Sequence, residues 1–202
     1  MKTSLMVLCA LAAGMLLGRL NALQSAWNPD FSEYLLYLLL FFIGLNLGHA
    51  SIKFKLHFKV SLHDFLVPVL VGTGTLCGAL IVSLVMQERY QPGEVMAAGA
   101  GFGYYSLSSL IILEISGNKL AMLALLANLF REMATLVLSP LFSRIFGGLA
   151  PVASGGATSM DTTLPVIVKS SGKAYAVIAV INGVVLTFLV PFIIPFILSF
   201  TK

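Results

Sequence analysis

Charge is scarce in this sequence. Only 10% of its 202 residues are Asp, Glu, Lys or Arg, against about 25% in a soluble domain. With 58% hydrophobic residues, that shortage excludes a water-soluble globule and a disordered chain. Two cysteines rule out a disulfide scaffold and a Cys-rich metal centre. Basic runs are missing as well: 12 Lys and Arg against 8 Asp and Glu leave a net charge of +4 with no basic face, which excludes nucleic acid as a partner. Strict polar–apolar alternation over segments of about ten residues, the mark of a membrane β-barrel, is absent. So are a Ser-His-Asp grouping, a His-rich metal motif and a phosphate loop, so neither an enzyme nor a bound cofactor or metal is expected. What remains is an all-α polytopic membrane protein.

A membrane-crossing helix takes about 20 mostly apolar residues. Runs of that kind cover 4–23, 33–48, 65–86, 120–142 and 174–198. Two more stretches, 95–113 and 150–168, are rich in Gly, Ser and Thr and read as interrupted segments. The chain is thus one transmembrane domain, 1–202, of six to seven segments: three spans in 1–92 and a core in 93–202 that holds both interruptions. The first run also fits a signal peptide, but Gly18-Arg19-Leu20 breaks the approach to a cleavage site. Lys53, Lys55 and Lys59 fall in one short loop, which places that loop in the cytoplasm together with Lys2, Lys119, Lys169 and Lys173. Arg89, Arg144 and Lys202 then lie outside, with Arg19 near the outer end of the first span. With 150–168 counted as a crossing, the N-terminus is expected inside and the C-terminus outside. His49, His57 and His63 flank the basic loop, as headgroup contacts or, alternatively, a pH sensor.

Even on a lenient scale a charge at mid-bilayer costs about 2.5–3.5 kcal/mol. Arg131 and Glu132 sit in the middle of 120–142, and Asn128 precedes them by three and four residues, so the three share adjoining parts of one helix face. Such a cluster lines a pathway or, alternatively, holds helices together. Asp161 lies in Gly155-Gly156-Ala157-Thr158-Ser159-Met160-Asp161-Thr162-Thr163-Leu164-Pro165. Two glycines, four hydroxyls and a proline describe an unwound crossing, tolerated at membrane depth only inside protein or beside water; the alternative is an exposed polar loop. Gly99-Ala100-Gly101-Phe102-Gly103-Tyr104-Tyr105-Ser106-Leu107-Ser108-Ser109 is the second interruption or, alternatively, a close-packing helix face. No βαβ unit surrounds its glycines, so it is not a dinucleotide fingerprint. A pair of Gly/Pro-interrupted segments is the sequence pointer to a transporter binding site.

Asn46 and Asn182 are single amides suited to interhelical hydrogen bonds. Glu114 and Lys119 bracket a short inner loop, and Cys9 and Cys77 are expected as small buried thiols.

Taken together, Gly101 to Ser108, Glu114 with Gly117, Asn128-Leu129-Phe130-Arg131-Glu132 and the run from Gly155 to Val166 resemble the bacterial lysine exporter (LysO) family in order and spacing, from about Tyr34 to the C-terminus. The resemblance implies a secondary transporter in the bacterial inner membrane that exports L-lysine and its analogue thialysine in exchange for protons. It also implies a cation-antiporter-like or anion-transporter-like architecture, in which two discontinuous helices cross near the midplane. Glu132 and Asp161 would bind the substrate's ammonium groups or the coupling proton. Around them the candidate substrate- and proton-binding set comprises Arg131, Asn128, Tyr104, Ser106, Ser108, Thr158, Ser159, Thr162 and Asn182. The family often carries Trp at Tyr104 and Phe at Thr162. Longer members begin with about three further spans, so a small membrane protein or a second copy of the chain is expected to supply them, or the chain works without them.

Overall fold

A computed structural model of the chain describes residues 62–86 and 88–201, together with Leu38, Phe41 and Leu45. The expected span 4–23, nearly all of 33–48, the lysines at 53, 55 and 59, His49, His57, Asn46, Cys9, Lys202 and the signal-peptide alternative lie outside the described residues. All described residues but Leu38 belong to one compact unit, Leu39–Lys202.

The described chain is helical, with no strand among its residues. A 3-10 turn, Leu62–Phe65, leads into α1, Leu66–Met86. Next come α2, Pro92–Gly99, and α3, Tyr105–Ser116, separated by residues 100–104, the first linker. The long helix α4 runs Asn118–Phe146. Then α5, Ala150–Gly155, and α6, Leu164–Ser171, enclose the second linker, residues 156–163, whose first part is a 3-10 turn, Gly156–Met160. The final helix, α7, covers Tyr175–Ser199. Three of these, α1, α4 and α7, are long and apolar enough to cross a membrane.

Local chemistry sets these boundaries. Pro92 starts α2, where its missing N–H costs nothing, and Glu94 Oε2 accepts the Gln91 N–H at 2.8 Å. α3, α4 and α6 each stop at a glycine with positive φ (Gly117, Gly147 and Gly172). Pro165 lies in the first turn of α6 and so begins a helix rather than interrupting one.

Buried residues Ala179, Asn182, Leu186, Val190 and Ile194 form one stripe of α7 at helical spacing. On its other side Phe188, Phe192, Phe196 and Phe200 are exposed, with ring centroids 5.3 Å apart in the first pair and 5.0 Å in the last. That polarity suits a helix with protein on one face and hydrocarbon on the other. Most of α1 is uncovered, and Cys77 stands on its exposed side. This corrects the expectation of a buried thiol: the protein packs against α1 through Pro68, Val71, Gly72 and Ser83, a different face.

Candidate functional site

The polar residues of α4 lie in a buried stripe, Asn128, Glu132, Thr135 and Ser139, with half-buried Arg131 beside it. Their spacing of four, three and four residues keeps them on one side of the helix.

Asn128 braces the first linker. Its Oδ1 accepts the Gly103 N–H at 2.7 Å, and its Nδ2 donates to the carbonyls of Ala98 and Ala124, each at 2.8 Å. The Ala98 carbonyl at the end of α2 and the Gly103 N–H in the linker are thereby paired, and burial makes leaving such groups unpaired expensive. The linker turns through Phe102 (φ 50°) and Gly103 (φ 98°). Gly101 lacks a side chain where a Cβ would come within 2.6 Å of both Asn128 Nδ2 and Ser108 Oγ.

The two linkers meet through their backbones. The Ala157 N–H donates to the Phe102 carbonyl at 2.8 Å. Gly156 (φ 59°) permits this approach, since a Cβ there would collide with the same Phe102 oxygen. The second linker is tied inward by hydroxyls. Thr158 Oγ1 donates to Gly155 O at 3.0 Å, Ser159 Oγ lies 2.6 Å from Gly156 O and 2.7 Å from Ala179 O, and Thr163 Oγ1 donates to Thr158 O at 3.0 Å. Asn182 Nδ2 reaches Gly156 O at 2.9 Å, Ser159 Oγ at 3.1 Å and Val152 O at 3.4 Å.

Arg131 grips the end of α5. Its Nε donates to Ser154 O and its Nη2 to Ala153 O, both at 2.9 Å, and its Nη1 donates to Thr75 Oγ1 of α1 at 3.1 Å. The unpaired carbonyls of a helix C-terminus carry partial negative charge. A planar guanidinium fits two of them at once. Thr135 adds a hydroxyl contact to Ser154 Oγ at 2.7 Å. An apolar cleft of about 410 Å³, lined by Val67, Leu70 and Val71, ends on Thr75 and Ala153, two of these partners.

The acids gather on a different side. Glu132 is 7% exposed, and the Thr162 side chain and the Asp161 charge both act on its carboxyl group. Tyr105 feels both acids and Tyr104 feels Asp161. Asp161 and Thr162 are exposed, and Asp161 Oδ1 accepts the Thr162 N–H at 2.5 Å and the Thr162 hydroxyl at 3.3 Å. Two carboxylates from distant parts of the chain are thus near enough to act on one another, with Thr162 beside both and Tyr104 and Tyr105 within reach of their charge.

Of the residues singled out from sequence, the structure thus gathers Glu132, Asp161, Thr162 and Tyr104 into this group. It places Asn128, Arg131, Thr158, Ser159 and Asn182 in the framework that holds the linkers. Ser108 is buried and returns its hydroxyl to the Tyr105 carbonyl at 3.4 Å, while the Ser106 carbonyl accepts from Ser109 Oγ at 3.2 Å. Sequence reasoning missed Tyr105, Thr75, Thr135 and Ser139. The last two continue the helical spacing from Asn128 and were open to discovery; nothing in the sequence ties Thr75 to a residue 56 positions away. Glu114, Lys119 and Arg144 are exposed. No group of three or more His, Cys, Asp or Glu stands ready to hold a metal ion among the described residues.

Comparison with known proteins then bears on what this geometry is for. A family model described as "Lysine exporter LysO" matches residues 8–198. A protein of Escherichia coli (strain K12) named lysine exporter LysO is 34% identical over 160 residues, 79% of this chain and 52% of that protein. The chain therefore spans about half of that relative's length. A Haemophilus influenzae protein, provisionally named a lysine exporter, is 30% identical over 194 residues, 96% of this chain and 97% of its own. No solved structure matches.

Proposed function

The chain belongs to the lysine exporter LysO family, and from that premise we propose that it exports L-lysine and similar cationic amino acids across the bacterial inner membrane in exchange for protons. One observation supports this: Glu132 of α4 and Asp161 at the end of the 3-10 turn in the second linker are near enough for the Asp161 charge to act on the Glu132 carboxyl group. Lysine presents two ammonium groups and a carboxylate. Two acids neutralise the first pair, and backbone N–H groups at the start of a half-helix suit the last. When lysine leaves, a proton on either acid relieves the repulsion between them, so that empty and loaded states differ by exchange of cations.

In this reading each short helix, linker and short helix is a single discontinuous crossing: Pro92–Gly99 with Tyr105–Ser116, and Ala150–Gly155 with Leu164–Ser171. The whole domain then has six or seven segments with the N-terminus in the cytoplasm. A small membrane protein or a second copy of the chain supplies further spans, or the chain works without them. An organic-acid carrier would need Arg131 as its carboxylate ligand. The commitment of that guanidinium to Ala153, Ser154 and Thr75 favours a cationic substrate instead.

The test is flux. In proteoliposomes an imposed pH gradient drives movement of labelled lysine through the wild-type chain, supplied with its partner if one is required. Glu132→Gln combined with Asp161→Asn reduces that flux to background, while the protein still assembles. Unchanged flux in the double variant overturns the assignment of these acids, and competition by dicarboxylates in place of lysine overturns the substrate class.

A further inference from the structure

Asn128 and Asn182 perform the same task in two places. They are 3% and 0% exposed, and each sends its Nδ2 to a carbonyl 30 residues upstream, Ala98 O for one and Val152 O for the other. The elements around them follow one order: short helix, linker, short helix, then the long helix that carries the asparagine. At the offset that superimposes the asparagines, Gly93 falls on Gly147, Gly101 on Gly155, Lys119 on Lys173 and Phe142 on Phe196. The chain from 92 onward is an internal repeat whose two copies keep few residues but share this brace.

The remaining contacts of the two amides differ, and most of all at the side-chain oxygen. Asn128 Oδ1 accepts the Gly103 N–H. At the same offset the matching donor for Asn182 is the Ala157 N–H, but that group is turned away to Phe102 O in the other copy. Asn182 Oδ1 is left buried with no hydrogen-bond partner among the described residues. An orphaned buried acceptor is rare and needs a reason. Here the reason is visible: its donor has been borrowed.

We propose that Asn182 is a positioning residue of the crossing, and that its free carbonyl oxygen is the second seat of the Ala157 N–H. With the linkers in contact the N–H rests on Phe102. When they part it moves to Asn182, as its counterpart rests on Asn128. No buried N–H is stranded in either arrangement, so the linkers separate by exchanging one acceptor for another. Asp161 ends the turn that contains Ala157 and moves with it, which changes its separation from Glu132. The purpose of this motion rests on the transport reading above; its test needs no substrate.

The test is a double-mutant cycle read by amide hydrogen exchange on the full chain in lipid nanodiscs. Gly156→Ala places a methyl on the Phe102 oxygen and drives the linkers apart. In that variant the peptide containing Ala157 stays protected, because Asn182 receives the N–H. In Asn182→Ala it also stays protected, because Phe102 still does. The combined variant exchanges at least about tenfold faster than the product of the two single effects, having lost both acceptors. Effects that simply multiply overturn the proposal. If Gly156→Ala does not fold, Gly103→Ala replaces it, since its methyl would meet the Gly155 carbonyl at 3.0 Å and pry at the same crossing. Lysine flux by the wild-type chain is measured separately. A chain that moves lysine without the excess loses only this switch, and one that shows the excess without flux loses only its substrate.

Discussion

Arg131 illustrates how a residue's surroundings decide its role. A charge deep in an apolar helix asks for an opposite charge, yet this one is satisfied by two carbonyls and a hydroxyl. Charge-assisted hydrogen bonds are worth about 1.5–3 kcal/mol each. Arg131→Met should therefore destabilise the folded chain by about 3 kcal/mol or more, seen as a lowered unfolding midpoint in detergent. Arg131→Lys should recover only part, because one ammonium cannot span both carbonyls in a fixed fork. Thr75→Val removes an acceptor but leaves both carbonyl bonds, so a loss near 1 kcal/mol is expected. Glu132 differs, since it braces no backbone group: Glu132→Gln should leave the unfolding midpoint nearly unchanged while impairing flux.

At the scale of elements the linkers are the informative parts. Asn128→Leu strands the Gly103 N–H and the Ala98 carbonyl, and about 2 kcal/mol or more of stability should go with them. Hydrogen exchange should rise in the first linker before it rises in α4. The long helices were legible from apolar runs: 65–86, 120–142 and 174–198 foreshadow Leu66–Met86, Asn118–Phe146 and Tyr175–Ser199. The helix breaks at residues 100–104 and 156–163 were legible too, because glycine, serine and proline depress helix formation wherever they cluster. The partners were not. Arg131 and Asn128 bind main-chain carbonyls, which every residue carries and no letter announces. The two linkers touch where Ala157 N–H meets Phe102 O, a contact made possible by what Gly156 lacks. In the sequence Asn182 stands as a single amide, although its spacing from Gly155 repeats that of Asn128 from Gly101.

For the molecule as a whole, three apolar helices and family membership make the chain a membrane protein. The proposed orientation predicts that a tag at the C-terminus is reached by impermeant reagents in intact spheroplasts, and that one at the N-terminus is reached only after lysis; the reverse pattern would invert the topology. Cys77, on the uncovered face of α1, should resist water-soluble maleimides in the bilayer and react with lipid-soluble ones. On the proposed reading, a carrier of cations also faces a problem of release. The carbonyl end of α5 would be a deep trap for any free ammonium group, and a trapped cargo would halt the cycle. Arg131 fills that place with a cation which, being covalently part of the chain, never departs. A cargo of the proposed kind would then be left to shallower seats, where it could be both caught and let go.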